Sequence, residues 1–361
     1  MREDFMKIEL INNLSINTGI GNYAFSVYNE LKKLKQVEIE MVHRDSFPYP
    51  TKVSKILSSP FRRILYLKNF SNLINLHANI YHFSAPGIVS SYFGPKIKGL
   101  EVLTIHDLYL FDSNENGLVE NRLKSYMTKS LATASGIIFV SYFTRDSFYK
   151  HFDFKGKAQV VHLGVDHATY FKSDKPKSRQ QLNLRLDFKY ILFTGTTIKR
   201  KNVETLLKAF SLIERHINNV CLMIIGGNIP LLKKMAKYYG INHLLCVPVV
   251  KPNIVNLYYN SADVFVFPSL YEGFGIPVVE AMSTGLPIVA SKSSSIPEIV
   301  SDSAILIDPI DVESIASEVM KIFLDKEIEE NLSKKSLERS LKFNWQKTAL
   351  ETSEFYKSLL S

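Results

Sequence analysis

Twelve short runs rich in β-branched and aromatic residues alternate with longer amphipathic segments, and no other feature restricts the fold of this chain as strongly. The first half carries KIELIN, VEIEMVH, NIYHF, EVLTIHD, GIIFVS and AQVVHLG; the second carries YILFTG, VCLMIIGG, LLCVPVV, DVFVFPS, PIVAS and AILID. Such alternation marks β-α units feeding a parallel sheet. Between the two series, Asp166 to Asp187 is polar and has no strand pattern, which puts a linker near residues 168–185. The expectation is an α/β chain of two Rossmann-like domains, 1–170 and 171–343. In the closing segment, 344–361, Trp345, Ala349, Phe355, Tyr356 and Leu359 share a helix face and Asn344 can cap, so this helix is expected to return to the first domain. Length agrees, since 361 residues at about 150 per domain give two domains, and 46% hydrophobic residues supply two cores.

Cys221 and Cys246 sit in apolar runs without metal-ligand spacing and read as small core residues in a reducing, cytoplasmic compartment. The start, MREDFMKIEL, lacks the basic and apolar regions of a signal peptide, and no apolar run approaches the ~18 residues of a membrane span. A net charge of +9 calls for an anionic partner, and most of it is local. Residues 46–100 hold Lys52, Lys55, Arg62, Arg63, Lys68, Lys96 and Lys98 and no acid, +7 in all. Ser59-Pro60 can start a helix with Phe61, Ile64 and Leu65 on one face and the arginines off it. That pattern suits either peripheral contact with an anionic membrane or acceptor, or a helix packed on its own domain with a solvated rim. Nucleic acid is disfavoured, because no binding module is recognisable and no aromatic platform interleaves the cations.

Four segments can carry chemistry. Pro268-Ser-Leu-Tyr-Glu272-Gly-Phe274-Gly275-Ile276-Pro277-Val-Val-Glu280 follows a strand and runs into a helix that Pro277 can open. Its glycines let backbone approach a ligand, its helix-terminal amides suit phosphate or sugar oxygens, and its two carboxylates can reach opposite ends of one hydroxyl-rich ligand. For an isolated pair the plainer reading is a dipole-complementing acid and a solvated helix glutamate. Gly195-Thr196-Thr-Ile-Lys199-Arg200-Lys201-Asn202 places three cations before a helix, against its dipole, so an anion is needed to offset them. Asn17-Thr-Gly19-Ile-Gly21-Asn-Tyr-Ala24 also fits the dinucleotide pattern G-x-G-x-x-A, with Glu38 or Glu40 near the place of a ribose-binding acid. Roughly seven residues separate its glycines from the strand, however, too many for the tight pyrophosphate turn. Thr104-Ile-His106-Asp107 closes a strand, where open sheets place ligand groups and where a lone histidine is also often a satisfied core residue. Ser141 reads as a helix N-cap and Gly164-Val165-Asp166 as a structural turn. No Asp-x-Asp or His/Cys cluster has metal-ligand spacing.

The glutamate-seven-residues-glutamate stretch from Glu272 to Glu280, continued by Gly285-Leu-Pro-Ile-Val-Ala-Ser and Ser295-Ile-Pro-Glu-Ile-Val, resembles that of the retaining, GT-B-fold glycosyltransferases of family 4, the glycosyl transferases group 1. The resemblance covers essentially the whole chain. It implies two Rossmann-like domains facing a central cleft, an acceptor in the first and a nucleotide-sugar donor in the second, and no metal or other cofactor. It further implies that Glu272 contacts the donor sugar, that Glu280 holds the ribose hydroxyls, and that the amides of Phe274, Gly275 and Ile276 face the sugar and diphosphate. Arg200 and Lys201 take the places of basic residues that bind the diphosphate, Gly195 and Thr196 line the same loop, and Gly19 and Gly21 lie near the donor phosphate. His106 matches a His-Asp whose histidine points at the donor sugar. Many members have arginine where Thr196 stands, so Arg200 is expected to supply the missing guanidinium. The motif variants look like those of mannosyl- and rhamnosyltransferase-like members, which favours GDP-mannose as donor and a glycan or lipid-linked acceptor. A nucleotide-sugar epimerase and a non-catalytic sugar-nucleotide binder are the alternatives.

Overall fold

The computed structural model describes residues 6–12, 14–16, 18–43, 74, 77–86, 97–113 and 118–361. Asn17, Lys52, Lys55, Arg62, Arg63, Lys68 and Lys96, and with them the expected basic helix, lie outside the described residues. The chain divides into two compact units, Met1–Leu163 with Trp345–Ser361, and Gly164–Asn344.

The first unit runs β1 (Met6–Asn12), α1 (Gly19–Leu31), β2 (Val37–His43), β3 (Ile80–Phe83), β4 (Leu100–Ile105), α2 (Tyr109–Asp112), α3 (Leu118–Leu131), β5 (Gly136–Phe139), α4 (Tyr142–His151) and β6 (Lys157–Val160). The second runs α5 (Lys175–Gln181), β7 (Lys189–Thr194), a 3-10 turn (Lys199–Lys201), α6 (Val203–His216), β8 (Val220–Ile225), α7 (Ile229–Tyr238), β9 (Leu244–Val247) and α8 (Pro252–Ser261). It continues with β10 (Val264–Phe267), α9 (Ile276–Ser283), β11 (Ile288–Ser291), α10 (Ile296–Val300), β12 (Ile305–Ile307), α11 (Val312–Leu324) and α12 (Lys326–Ser340). The last helix, α13 (Trp345–Leu360), belongs to the first unit.

Among the described residues each unit holds a six-stranded sheet whose pairings are all parallel. Strands covered by helices on both faces must be apolar along their length, and β3, β5, β10 and β11 are buried at every residue. In the second sheet the order β12-β11-β10-β7-β8-β9 is the doubly wound Rossmann arrangement, with its topological switch between β7 and β10. Among the described residues the first sheet runs β2-β1-β3-β4-β5-β6, and its order reverses between β1 and β3. Open sheets of this kind take ligands beyond the carboxyl ends of the strands flanking the reversal, so the loops after β7 and β10 are the places to look.

Helix α13 packs on α1, with Thr348 donating to the carbonyl of His162 (2.8 Å) and Trp345, Ala349, Phe355 and Tyr356 buried. Asn344 donates its side-chain amide back to Leu341 O (3.3 Å).

The division between units falls at 163/164 rather than 170/171, and the stretch read as a linker is part of the second unit. Asp174 caps α5 by accepting from Lys177 N (2.8 Å), and Arg179 is buried. Its guanidinium pairs with Asp263 (2.7 Å) and donates to the carbonyls of Ser261, Leu186 and Phe188. Hydropathy scores such a segment as solvated because a buried cation with a full set of acceptors looks like any surface arginine. Both cysteines are half-buried rather than fully buried, Cys246 because β9 is an edge strand. Replacing Arg179 by methionine keeps the volume and strips Asp263 of its buried partner, leaving Lys175 and Tyr190 N as donors. Urea unfolding of Arg179→Met is expected to show a loss of about 3 kcal/mol, the low end for breaking a buried pair.

Candidate functional site

The loops at the switch of the second sheet are tied to each other first through backbone. The carbonyl of Arg200 accepts from Leu270 N (2.7 Å), with Ser269 Oγ 3.0 Å away, and Asn202 donates to the carbonyls of Pro268 (3.1 Å) and Pro309 (2.6 Å). Asn202 takes a left-handed conformation (φ +55°), which asparagine tolerates better than most side chains, and α6 starts directly after it. The cations therefore sit in a 3-10 turn ahead of α6, not in its first turn.

The anion they require is Glu272, which is 6% exposed. Lys201 Nζ lies 2.6 Å from Oε1, Arg200 Nη1 lies 3.3 Å from Oε2 and 3.1 Å from Tyr271 O, and Ser269 Oγ donates to Oε1 (2.5 Å). Ser294 Oγ accepts from the backbone N–H of Glu272 (2.9 Å), and Lys201 also lies over the ring of Phe267 (5.1 Å). A carboxylate holding three donors is fixed in place and poorly suited to act as a nucleophile; it can orient a ligand and set the positions of two cations.

Beyond Glu272 the chain enters α9 through Gly275 (φ +99°), where a Cβ would stand 2.7 Å from Ile296 Cδ1, so both the conformation and the space demand glycine. Phe274 is buried with its ring edge-on to Phe343 (5.8 Å), and Pro277 occupies the first turn. The N–H groups of a first turn have no intrahelical acceptor, which makes the entry at Gly275 and Ile276 an anion-favouring end. Gly195 and the exposed Thr196 follow β7 in the facing loop.

Glu280, one turn into α9, is half-buried. Tyr259 donates to its Oε2 (2.9 Å), and Tyr170 interacts with the same carboxylate. Burial raises the carboxyl above its ordinary range, and the two tyrosines pull it part of the way back. Glu272 and Glu280 thus share one motif and have separate partners. Ser269 lies inside the motif read from the sequence; Tyr170, Tyr259 and Ser294 were missed, because nothing in the sequence separates them from ordinary polar packing.

In the first unit Thr18 caps α1, accepting from Gly21 N (3.0 Å). Gly19 is exposed; Gly21 is buried so closely that a Cβ would stand 2.0 Å from Ser15 O. Glu38 and Glu40 lie on β2 before its carboxyl end at His43, where a ribose-binding acid does not belong, which weakens the dinucleotide reading. His106 follows β4 and bonds through Nε2 to Ser84 O (2.9 Å); a carbonyl only accepts, so Nε2 carries the proton and Nδ1 is left as an acceptor. Tyr23 stands edge-on to His106 (4.9 Å) and its hydroxyl bonds Thr104 (2.8 Å), which also bonds His82 Nε2 (2.6 Å); His82 Nδ1 reaches Tyr356 of α13. Ser141 caps α4, as its position suggested. Among the described residues no three His, Cys, Asp or Glu are grouped to hold a metal, and no helix is long and apolar enough to cross a membrane.

Residues 174–339 match the profile of the family described as Glycosyl transferases group 1. Over 95% of this chain and 96% of its own length, the O-antigen chain mannosyltransferase B of Escherichia coli is 28% identical. The chain is a glycosyltransferase, with residues 174–339 as its group 1 region. Among solved structures, sucrose-phosphate synthase from Thermosynechococcus elongatus superposes with a TM-score of 0.81 at 20% identity, covering 98% of this chain and 99% of that one. Anabaena HepE in complex with UDP-glucose gives 0.77 at 17% identity over 98% and 100%. The fold of this glycosyltransferase is accordingly GT-B.

Burial lowers His82 to about 3, helped by the nearby His106, and His106 to about 4, the bond to Ser84 opposing. In the unfolded chain both titrate near 6.5. Between that pH and about 4 the unfolded state binds more protons, so stability falls as the pH falls. Urea titrations across this window are expected to show that decline, with a shallower slope in His106→Asn.

Proposed function

We propose that the enzyme is a retaining, metal-independent hexosyltransferase that moves mannose from GDP-mannose to a glycan or lipid-linked acceptor at the cytoplasmic face of a membrane. The observation that carries the reading is the cluster of Lys201, Arg200 and Glu272 beside the entry to α9, at the switch of the second sheet. The similarity to the O-antigen mannosyltransferase supports the choice of mannose.

In this reading the anomeric carbon–oxygen bond breaks and negative charge gathers on the departing diphosphate. Lys201, Arg200 and the amides at Gly275 and Ile276 stabilise that charge, and Phe274 packs the loop that carries them. The acceptor hydroxyl attacks from the face the phosphate leaves, and its proton passes to the phosphate oxygen. Three donors already occupy Glu272, which favours a mechanism without a covalent enzyme intermediate. Glu272 orients the sugar, Glu280 accepts from the ribose diol, Gly195 and Thr196 let the loop after β7 approach the phosphates, and Gly19 and Gly21 do the same from the loop before α1. His106 enters on the family resemblance, as a neutral ring offering Nδ1 to a sugar hydroxyl.

A thermal-shift panel of GDP-, UDP-, dTDP- and ADP-sugars identifies the nucleotide, because a ligand that binds only the folded state raises apparent stability by mass action. With GDP-mannose and acceptor, Lys201→Ala and Glu280→Ala are each expected to cut transfer about a hundredfold or more, the scale of removing one fixed charge-stabilising or positioning group. Circular dichroism spectra of both variants are expected to match wild type, with a lowered Tm in Lys201→Ala, which takes a donor from the buried Glu272, and transfer by the wild type is expected to continue in EDTA. Loss of activity on chelation contradicts the metal-independent mechanism.

A further inference from the structure

Glu280 is held by a device built on one face of α8. Asn256, Tyr259 and Asn260 stand at i, i+3 and i+4 and are all buried. The two asparagines grip the segment after Tyr170: Phe171 N donates to Asn256 Oδ1 (3.2 Å), Ser173 N to Asn260 Oδ1 (2.6 Å), and Asn260 Nδ2 to Phe171 O (2.9 Å). That grip brings the ring of Tyr170 edge-on to Tyr259 at 6.0 Å; Tyr259 donates to Glu280 (2.9 Å), and Tyr170 interacts with the same carboxylate.

The bonds have a fixed direction. Burial, reinforced by the neighbouring carboxylate, raises both phenols above their ordinary value, so they remain protonated, and Tyr259 donates to Glu280. The hydroxyl of Tyr259 also lies 3.1 Å from Thr194 Oγ1. Its one hydrogen faces Glu280 Oε2 (2.9 Å) and, less closely, Pro277 O (3.2 Å), so toward Thr194, the last residue of β7, it accepts. A chain of donors therefore runs from the strand before the Gly195 loop to the carboxylate on α9. A carboxylate offers about four lone-pair positions, of which two phenols take two, leaving about two for a ligand. A vicinal diol brings two hydroxyl donors.

We infer that Tyr259 and Tyr170 are positioning residues that aim the Glu280 carboxylate at the vicinal diol of a nucleoside ribose, with Asn256 and Asn260 fixing Tyr170 for that purpose. The inference rests on the donor reading proposed above and extends it to residues outside the glutamate motif.

The test is calorimetric binding of GDP and UDP and of their 2′,3′-dideoxy forms to wild type, Tyr259→Phe and Tyr170→Phe, each variant keeping the ring and removing one hydroxyl. Wild type is expected to prefer the ribose form by about tenfold or more, the scale of hydrogen bonds to a charged acceptor. In each variant the preference is expected to shrink to about threefold or less, with dideoxy affinity unchanged. A purely structural role would instead weaken both forms alike, and that result, or a wild-type preference retained in both variants, overturns the inference. So does a wild type that binds both forms equally. Wild-type binding to none of the nucleotides overturns the donor reading itself, and is told apart from the other failures by the absence of any heat.

Discussion

The contact between Glu272 and the cations of the preceding loop holds the candidate site together. Lys201 and Arg200 belong to the loop after β7 and Glu272 to the loop after β10, strands that are neighbours in the sheet and far apart in sequence. Three cations packed ahead of a helix repel each other and oppose its dipole. With Glu272 bonded to two of them, the 3-10 turn becomes a stable place for the chain to enter α6. The same contact fixes the trajectory into Gly275 and α9, and therefore where Glu280 is presented. Asn202, reaching Pro268 and Pro309, carries the tie on to the loop after β12.

The twelve strands of the described residues were readable from sequence, the central ones because a parallel strand covered on both faces must be apolar throughout, as β10 (VFVF) and β11 (IVAS) show directly. The need for an anion near Lys199–Lys201 was also readable, from charge and dipole alone. Other features were not. Helix α5 was taken for a linker because the neutralisation of Arg179 by Asp263 joins positions 84 residues apart. Tyr259 lies in a run, Tyr-Tyr-Asn-Ser, that is unremarkable until α8 is wound and three of its polar side chains fall on one buried face.

The first unit poses the opposite case, a polar cluster with little sequence signature and a clear physical state. Tyr23, His82, Thr104 and Tyr356 come from α1, β3, β4 and α13 and are all buried. An interior of this kind tolerates polar groups only when they satisfy one another, which they do by a chain of hydroxyls and ring nitrogens. It joins the last helix of the chain to the strand that His106 follows, and burial keeps both imidazoles neutral at ordinary pH.

The two glutamates of the motif show how environment divides roles between identical side chains. Glu272 is bonded to an ammonium and a guanidinium, so its charge is spent on organising cations, and an anionic ligand arriving there meets an array that keeps one net positive charge. Glu280 is bonded to phenols, which donate without neutralising, and burial pushes its carboxyl upward. A carboxylate with neutral donors and unused lone pairs is most readily completed by further neutral donors, which is what sugar hydroxyls are. A cationic partner at Glu280 would favour its charge more strongly but would also occupy the acceptor positions that a diol needs. Tyrosine on both sides keeps the carboxylate oriented while leaving those positions open, and this favours hydroxyl recognition over charge stabilisation as its proposed task.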